Sequence, residues 1–166
     1  MSSSFDPCYL SLDGAGRVVL PSGGFYCASK FALEALAEAY SYELASQGIE
    51  SVIVEPGAYE TPVFGNTVTA ADEARTNTYG AVKEIPAKLN AALSSTAGNA
   101  QDVADAVLRI IETPAGEKQL RYLVSPRNLG IDEINALSKQ VQGKLLEAFG
   151  LAADTKFLKG KAVGSV

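Results

Sequence analysis

Histidine and tryptophan are both absent from the 166 residues, and cysteine occurs only twice. The missing imidazole removes Ser-His-Asp and Cys-His nucleophilic catalysis and every zinc site that uses a histidine ligand. Two thiols, Cys8 and Cys27, cannot build a thiolate cage for a metal, so no metal site is expected and both read as small apolar residues. The first ten residues, M-S-S-S-F-D-P-C-Y-L, lack the basic region and long apolar run of a secretory signal, and no apolar stretch approaches membrane-spanning length. Positive charge is also short, with 14 Lys and Arg against 19 Asp and Glu and a net charge of -5. That sign argues against nucleic acid and anionic lipid as partners. The expected location is cytoplasmic.

What remains is a chain of globular composition, 47% hydrophobic and 20% charged, of a length that suits one domain. Cys8 to Leu12 is a short apolar run between Pro7 and Asp13-Gly14-Ala15-Gly16, the pattern of a buried strand ending in a turn. From Phe25 to Ser46 there is neither Pro nor Gly, and Leu33, Leu36, Ala37, Tyr40 and Leu44 recur at helical spacing, with Gly48 as the stop. Ser51 to Glu55, S-V-I-V-E, closes in Pro56-Gly57 and reads as a strand buried on both faces of a parallel sheet. Thr61 to Asn99 is irregular, with a weak helical pattern from Val82 to Leu93, so loops and short helices are expected there.

The second half of the chain is more regular. Ala100 to Glu112 forms a helix with Val103, Ala104, Val107, Leu108 and Ile111 on one face, Asn99 as cap and Pro114 beyond its end. Leu120 to Ser125 follows as a strand. Ile131 to Phe149 is an amphipathic helix with Ile134, Leu137, Val141, Leu145 and Phe149 inward. The alternation predicts an α/β fold, a partial Rossmann-like parallel sheet of about three strands with flanking helices. One domain over 1–150 and a flexible tail over 151–166 complete the expected organisation.

With histidine gone, the acid–base candidates are Tyr, Lys and the carboxylates. Tyr26-Cys27-Ala28-Ser29-Lys30 puts a phenol and an ammonium at i and i+4, on one face of the first turns of the long helix. A phenol with an ordinary pKa of about 10 exchanges protons near neutrality only if a neighbouring cation stabilises its phenolate. Lys30 is spaced to be that cation. Tyr79 and Lys83 share the spacing, so spacing alone does not single out the first pair.

Context does. Y-C-A-S-K-F-A-L-E-A-L, followed by a buried strand and Pro56-Gly57-Ala58-Tyr59-Glu60-Thr61, resembles the C-terminal half of the short-chain dehydrogenase/reductase family, whose Y-x-x-[SA]-K opens a long helix and whose P-G-x-x-x-T follows the next strand. The resemblance covers roughly Cys8 to Phe149. It implies hydride transfer between NAD or NADP and a small carbonyl or alcohol substrate, with Tyr26 as general acid/base. Lys30 would assist it and hold the nicotinamide ribose. Pro56, Gly57, Tyr59 and Thr61 would meet the nicotinamide carboxamide.

Two departures accompany the likeness. The family's hydroxyl donor stands thirteen residues before its tyrosine, where this chain has Asp13; an ionised carboxylate only accepts hydrogen bonds and would oppose a phenolate beside it. Ser11 and Ser22 are nearby alternatives, Ser22 being equally suited to cap the helix. The family's Gly-rich dinucleotide-binding half has no counterpart, because Gly14-Ala15-Gly16 lacks a third glycine and a helix start and reads as a turn. The expectation is a truncated or split oxidoreductase of doubtful independent activity; the alternatives are a non-catalytic interaction module and an incomplete gene product. Self-association through an exposed sheet edge or the long helix is expected in either case.

Overall fold

A computed structural model describes residues 8–11, 14–62 and 71–157. Its centre is a three-stranded parallel sheet in the order β1 (Cys8–Ser11), β2 (Ser51–Pro56), β3 (Arg121–Val124). Cys8 stands opposite Ser51, and Ile53 opposite Arg121. β2 lies between the other two, and Ser51 to Glu55 are buried, as the unbroken S-V-I-V-E run predicts.

Strand alternation sorts the two faces. Val52 and Val54 pack with Tyr122 and Val124 against Ile110, Val103 and Val107 of α4 (Gln101–Glu112). On the other face Ile53 meets Ala37 and Leu33 of α1 (Gly24–Glu43), with Leu120 beside them. α1 is the crossover from β1 to β2, so it runs antiparallel to both strands and its first turns lie at their carboxyl ends. It ends in a short 3-10 turn, Ala45–Gln47, closed by Gly48 at φ 78°, a left-handed conformation that glycine adopts without strain.

Between β2 and α4 lie α2 (Glu73–Asn77) and α3 (Ile85–Ser94), joined by a 3-10 turn at Gly80–Glu84, none with a buried residue. Asp72 caps α2 by accepting from the Arg75 N–H at 2.9 Å. These are the short helices expected of the irregular stretch. α5 (Ile131–Ala148) follows β3, entered through Gly130 at φ 86°. Residues 151–157 continue as turns, with the Phe157 ring against Gly116.

Three details depart from the sequence pattern. In α1 the buried residues are Cys27, Glu34 and Ala37, while Leu36 and Tyr40 are exposed. In α4 the sheet takes Ala106 and Ile110 and leaves Leu108 and Ile111 outside. That apolar stripe is wide enough for two alternative faces, and packing on Val52 and Val54 selects one. α5 departs furthest: Leu137, Val141, Leu145 and Phe149 are exposed, and the inward face is Ile131, Ile134, Asn135 and Ser138.

Candidate active site

Tyr26 and Lys30 occupy the first two turns of α1, whose N-cap is Gly23 with no side-chain cap. Ser22 is therefore not the cap; it is exposed and adopts φ 66°. The Lys30 ammonium lies over the Tyr26 ring, 5.4 Å from its centroid, a cation–π contact that holds the two side chains together. Tyr26 is 48% exposed, open enough for a ligand to reach. Between them Cys27 faces inward, a buried free thiol whose sulfur accepts from the Leu20 N–H at 3.3 Å, as a small core residue would.

The carboxyl end of β2 carries the second group of candidate residues. The Gly57 N–H donates to the Val124 carbonyl at 2.8 Å, extending the sheet by one bond past Pro56. A Cβ at Gly57 would lie 2.1 Å from the Ser125 hydroxyl and 3.2 Å from the Ser125 Cα, so β2 and β3 can converge here only if the residue is glycine. Tyr59 is buried, its hydroxyl donating to the Val124 carbonyl at 3.0 Å. Burial first, and then the Asp102 charge, raise that phenol above its ordinary pKa. Tyr59 thus anchors the loop by its side chain. The bridge to Gly98 uses the Ala58 carbonyl and the Glu60 N–H. Thr61 and Pro62 follow, both exposed.

Asp13 lies outside the described residues, and so do the side chain of Ser11 and the residues from 63 to 70. Gly14–Gly16 forms a 3-10 turn, as its sequence suggests. A Cβ on Gly16 would come within 2.8 Å of the Glu34 side chain and 3.3 Å of the Lys30 carbonyl. With a carboxylate against it, this turn does not suit a pyrophosphate. At the other pair, Lys83 donates to the Asn77 side chain at 3.1 Å.

Sequence reasoning missed a buried charge cluster directly behind Lys30. Arg121 of β3 donates from Nε to Glu34 at 2.9 Å and from its terminal nitrogen to Glu38 at 2.6 Å. Its Nε also lies 3.8 Å from Glu55 Oε1. The other Glu55 oxygen accepts from Asn135 at 2.6 Å, and Arg17 donates to the Ser138 hydroxyl. Burial works against the Glu38 charge, yet hydrogen bonds from Arg121 and Tyr42 and the charges of Arg121 and Arg17 hold its carboxyl below the usual range. Burial and the Glu38 carboxylate push the Tyr42 phenol up. The signal lay in α5, where Asn135 and Ser138 share a face one turn apart.

The family model described as short chain dehydrogenase matches residues 13–72, which include both the Tyr26–Lys30 helix start and the Pro56–Gly57 turn. Over these residues the chain is similar to the short-chain dehydrogenase/reductase family. It is 31% identical to an NADPH-dependent 3-dehydrocapnine reductase from Ornithobacterium rhinotracheale over 69% of its own length and 40% of that protein. To human 17-beta-hydroxysteroid dehydrogenase type 1 it is 29% identical, over 70% of this chain and 39% of that one. The chain thus spans about two-fifths of the length of these relatives. A crystal structure of a short-chain dehydrogenase from Streptomyces avermitilis superposes with a TM-score of 0.54 at 23% identity, covering 91% of this chain and 52% of that one. This likeness supports the Rossmann-like fold. Among the described residues no helix is long and apolar enough to cross a membrane.

Proposed function

We propose that this chain carries the substrate-side half of a short-chain dehydrogenase/reductase site, which transfers hydride between NAD or NADP and a small carbonyl or alcohol. The observation that carries the reading is the Tyr26–Lys30 pair at the start of the crossover helix, at the carboxyl ends of β1 and β2, where open α/β sheets hold ligands. When bound, the dinucleotide supplies or accepts the hydride. Tyr26 gives its hydroxyl proton to the substrate oxygen in reduction and takes it back in oxidation. Lys30 favours the phenolate by its positive charge and reaches the ribose hydroxyls. Among the described residues Lys30 has no carboxylate partner, which leaves its donors for a ligand. Pro56 and Gly57 shape the wall against the nicotinamide, with the Tyr59 backbone and Thr61 at its rim.

The residues present fit the nicotinamide end and not the pyrophosphate end, because the Gly14–Gly16 turn closes on Glu34. Binding of the dinucleotide by this chain is therefore weak and turnover low, since positioning and polarisation both lack a part. Titration of NADPH and NADH by fluorescence, with carbonyl reduction assayed beside it, tests this. Weak binding lost in Lys30→Ala and retained in Tyr26→Phe supports the site, as does any turnover lost in Tyr26→Phe. Binding and turnover indifferent to both substitutions would remove it. A second reading, a non-catalytic module, is favoured by the apolar side chains left outside, Phe25 at 98% exposure and Phe149 at 70%. The same surfaces, with the β1 edge, support self-association.

A further inference from the structure

The charge cluster behind Lys30 does not balance. Among the described residues three carboxylates face it, Glu34 and Glu38 from α1 and Glu55 from β2, against two guanidiniums, Arg17 from the turn after β1 and Arg121 from β3. α5 adds only neutral groups, Asn135 and Ser138, and Tyr42 adds a hydroxyl bonded to Glu38. Glu34 is 3% exposed and Glu55 not at all, so water cannot carry the surplus negative charge cheaply.

Hydrogen bonds are short on the same side. Among the described residues of this cluster, Glu34 Oε1, Glu55 Oε1 and Asn135 Oδ1 are buried acceptors without a donor, and Arg17 Nε is a buried donor without an acceptor. One added proton makes the cluster neutral and turns one acceptor into a donor. The same atom removes the charge surplus and reduces the hydrogen-bond deficit.

We infer that the Glu55 carboxyl keeps its proton at neutral pH, with the Glu34 side chain brought near it by Arg121, and that this proton helps lock α5 onto the end of β2 that carries Pro56 and Gly57. Arg121 reaches both carboxyl groups from Nε, at 2.9 Å to Glu34 and 3.8 Å to Glu55, and thereby brings the two acids to one place. Burial first, and then the Glu34 charge, push the Glu55 carboxyl up to about 7, against the Asn135 hydrogen bond and the charges of Arg121 and Arg17. The folded chain then binds more protons than the unfolded chain between the ordinary value of 4.5 and about 7. Stability from this group is fully present below that window and is lost as pH rises through it.

Carbon-13 titration of the glutamate carboxyl groups in the full chain, together with urea unfolding from about pH 5 to about pH 8, tests the inference. One glutamate carboxyl is expected to titrate near neutrality, and the folding equilibrium constant to fall on the order of ten- to a hundredfold across the range. In Glu55→Gln that titration vanishes and the pH dependence flattens. In Glu34→Gln the titration moves to lower pH and the pH dependence weakens, because the Glu34 charge no longer opposes ionisation of Glu55. The double variant leaves two guanidiniums facing one carboxylate and is less stable than either single variant. The inference is overturned if every glutamate titrates below about pH 5, or if both single variants keep the wild-type pH dependence. Neither readout depends on dinucleotide binding, so failure of the proposed reaction leaves this test intact.

Discussion

Gly16 stands where the turn after β1 comes closest to α1. Its missing Cβ leaves room for the Glu34 side chain, and Glu34 in turn is fixed by Arg121. Alanine there would meet the Glu34 Cγ at 2.8 Å and the Lys30 carbonyl at 3.3 Å, one atom pinned by an ion pair and the other part of a helix backbone. Neither can give way freely. Gly16→Ala is therefore expected to cost about 1–3 kcal/mol, as overpacking does, and to disturb the helix turn that carries Lys30. Gly24, by contrast, meets nothing within 4 Å, and it opens a helix. Gly24→Ala should stabilise by about 0.4–1 kcal/mol through the unfolded chain. Urea denaturation of the two variants side by side checks both signs, and equal effects would mean that the close approach at Gly16 does not constrain the fold.

Among the elements, α5 shows most clearly how a surrounding structure overrides a pattern. Its apolar residues Leu137, Val141 and Leu145 recur every fourth position, and hydrophobicity alone sends them inward. The sheet face they would cover already holds Glu55 and Arg121, however, and a buried charge demands hydrogen-bond partners more strongly than an exposed leucine demands burial. Asn135 and Ser138 meet that demand. Val141→Lys is accordingly expected to change the unfolding free energy by no more than about 0.5 kcal/mol, while Ser138→Val, which removes the acceptor of Arg17, costs about 1–3 kcal/mol. Chemical unfolding of the two variants measures the difference; the reverse order would restore the apolar stripe to the inside.

The same contrast explains what the sequence makes legible. β2, the α1 boundaries and the Tyr26–Lys30 spacing follow from local signals: a β-branched run, the absence of Pro and Gly, the stop at Gly48. The inward faces of α1, α4 and α5 do not, because each depends on what the opposite element presents. Glu34, Glu55 and Arg121 are far apart in the chain and join only through the register that sets Ile53 beside Arg121. No single window of sequence holds that register. The candidate pair Tyr26 and Lys30 was visible, whereas the cluster supporting the helix behind it was not.

At the scale of the whole molecule, the described sheet has β1 at one margin, hydrogen-bonded on the β2 side. The matched segments make up about two-fifths of the two reductase and dehydrogenase relatives, and about half of the Streptomyces avermitilis structure. A strand with free N–H and C=O groups along one side is a template for another strand, and helices with apolar faces turned outward add area for contact. Here those faces include Phe25, Leu36 and Tyr40 on α1 and Leu137, Val141 and Phe149 on α5. Both features lead to the same expectation, that the isolated chain associates with itself at tens of micromolar. Sedimentation velocity across a concentration series would show a rising mean mass, and hydrogen exchange of Tyr9 and Leu10 would slow as the mass rises. Charged substitutions separate the two routes. Leu10→Lys acts at the sheet margin, and Leu36→Lys acts on the helix, so the substitution that returns the chain to a monomer identifies the surface in use. A chain that stays monomeric at every concentration, with Tyr9 and Leu10 amides already protected, would show that the margin is closed from within the molecule and that the fold needs no partner.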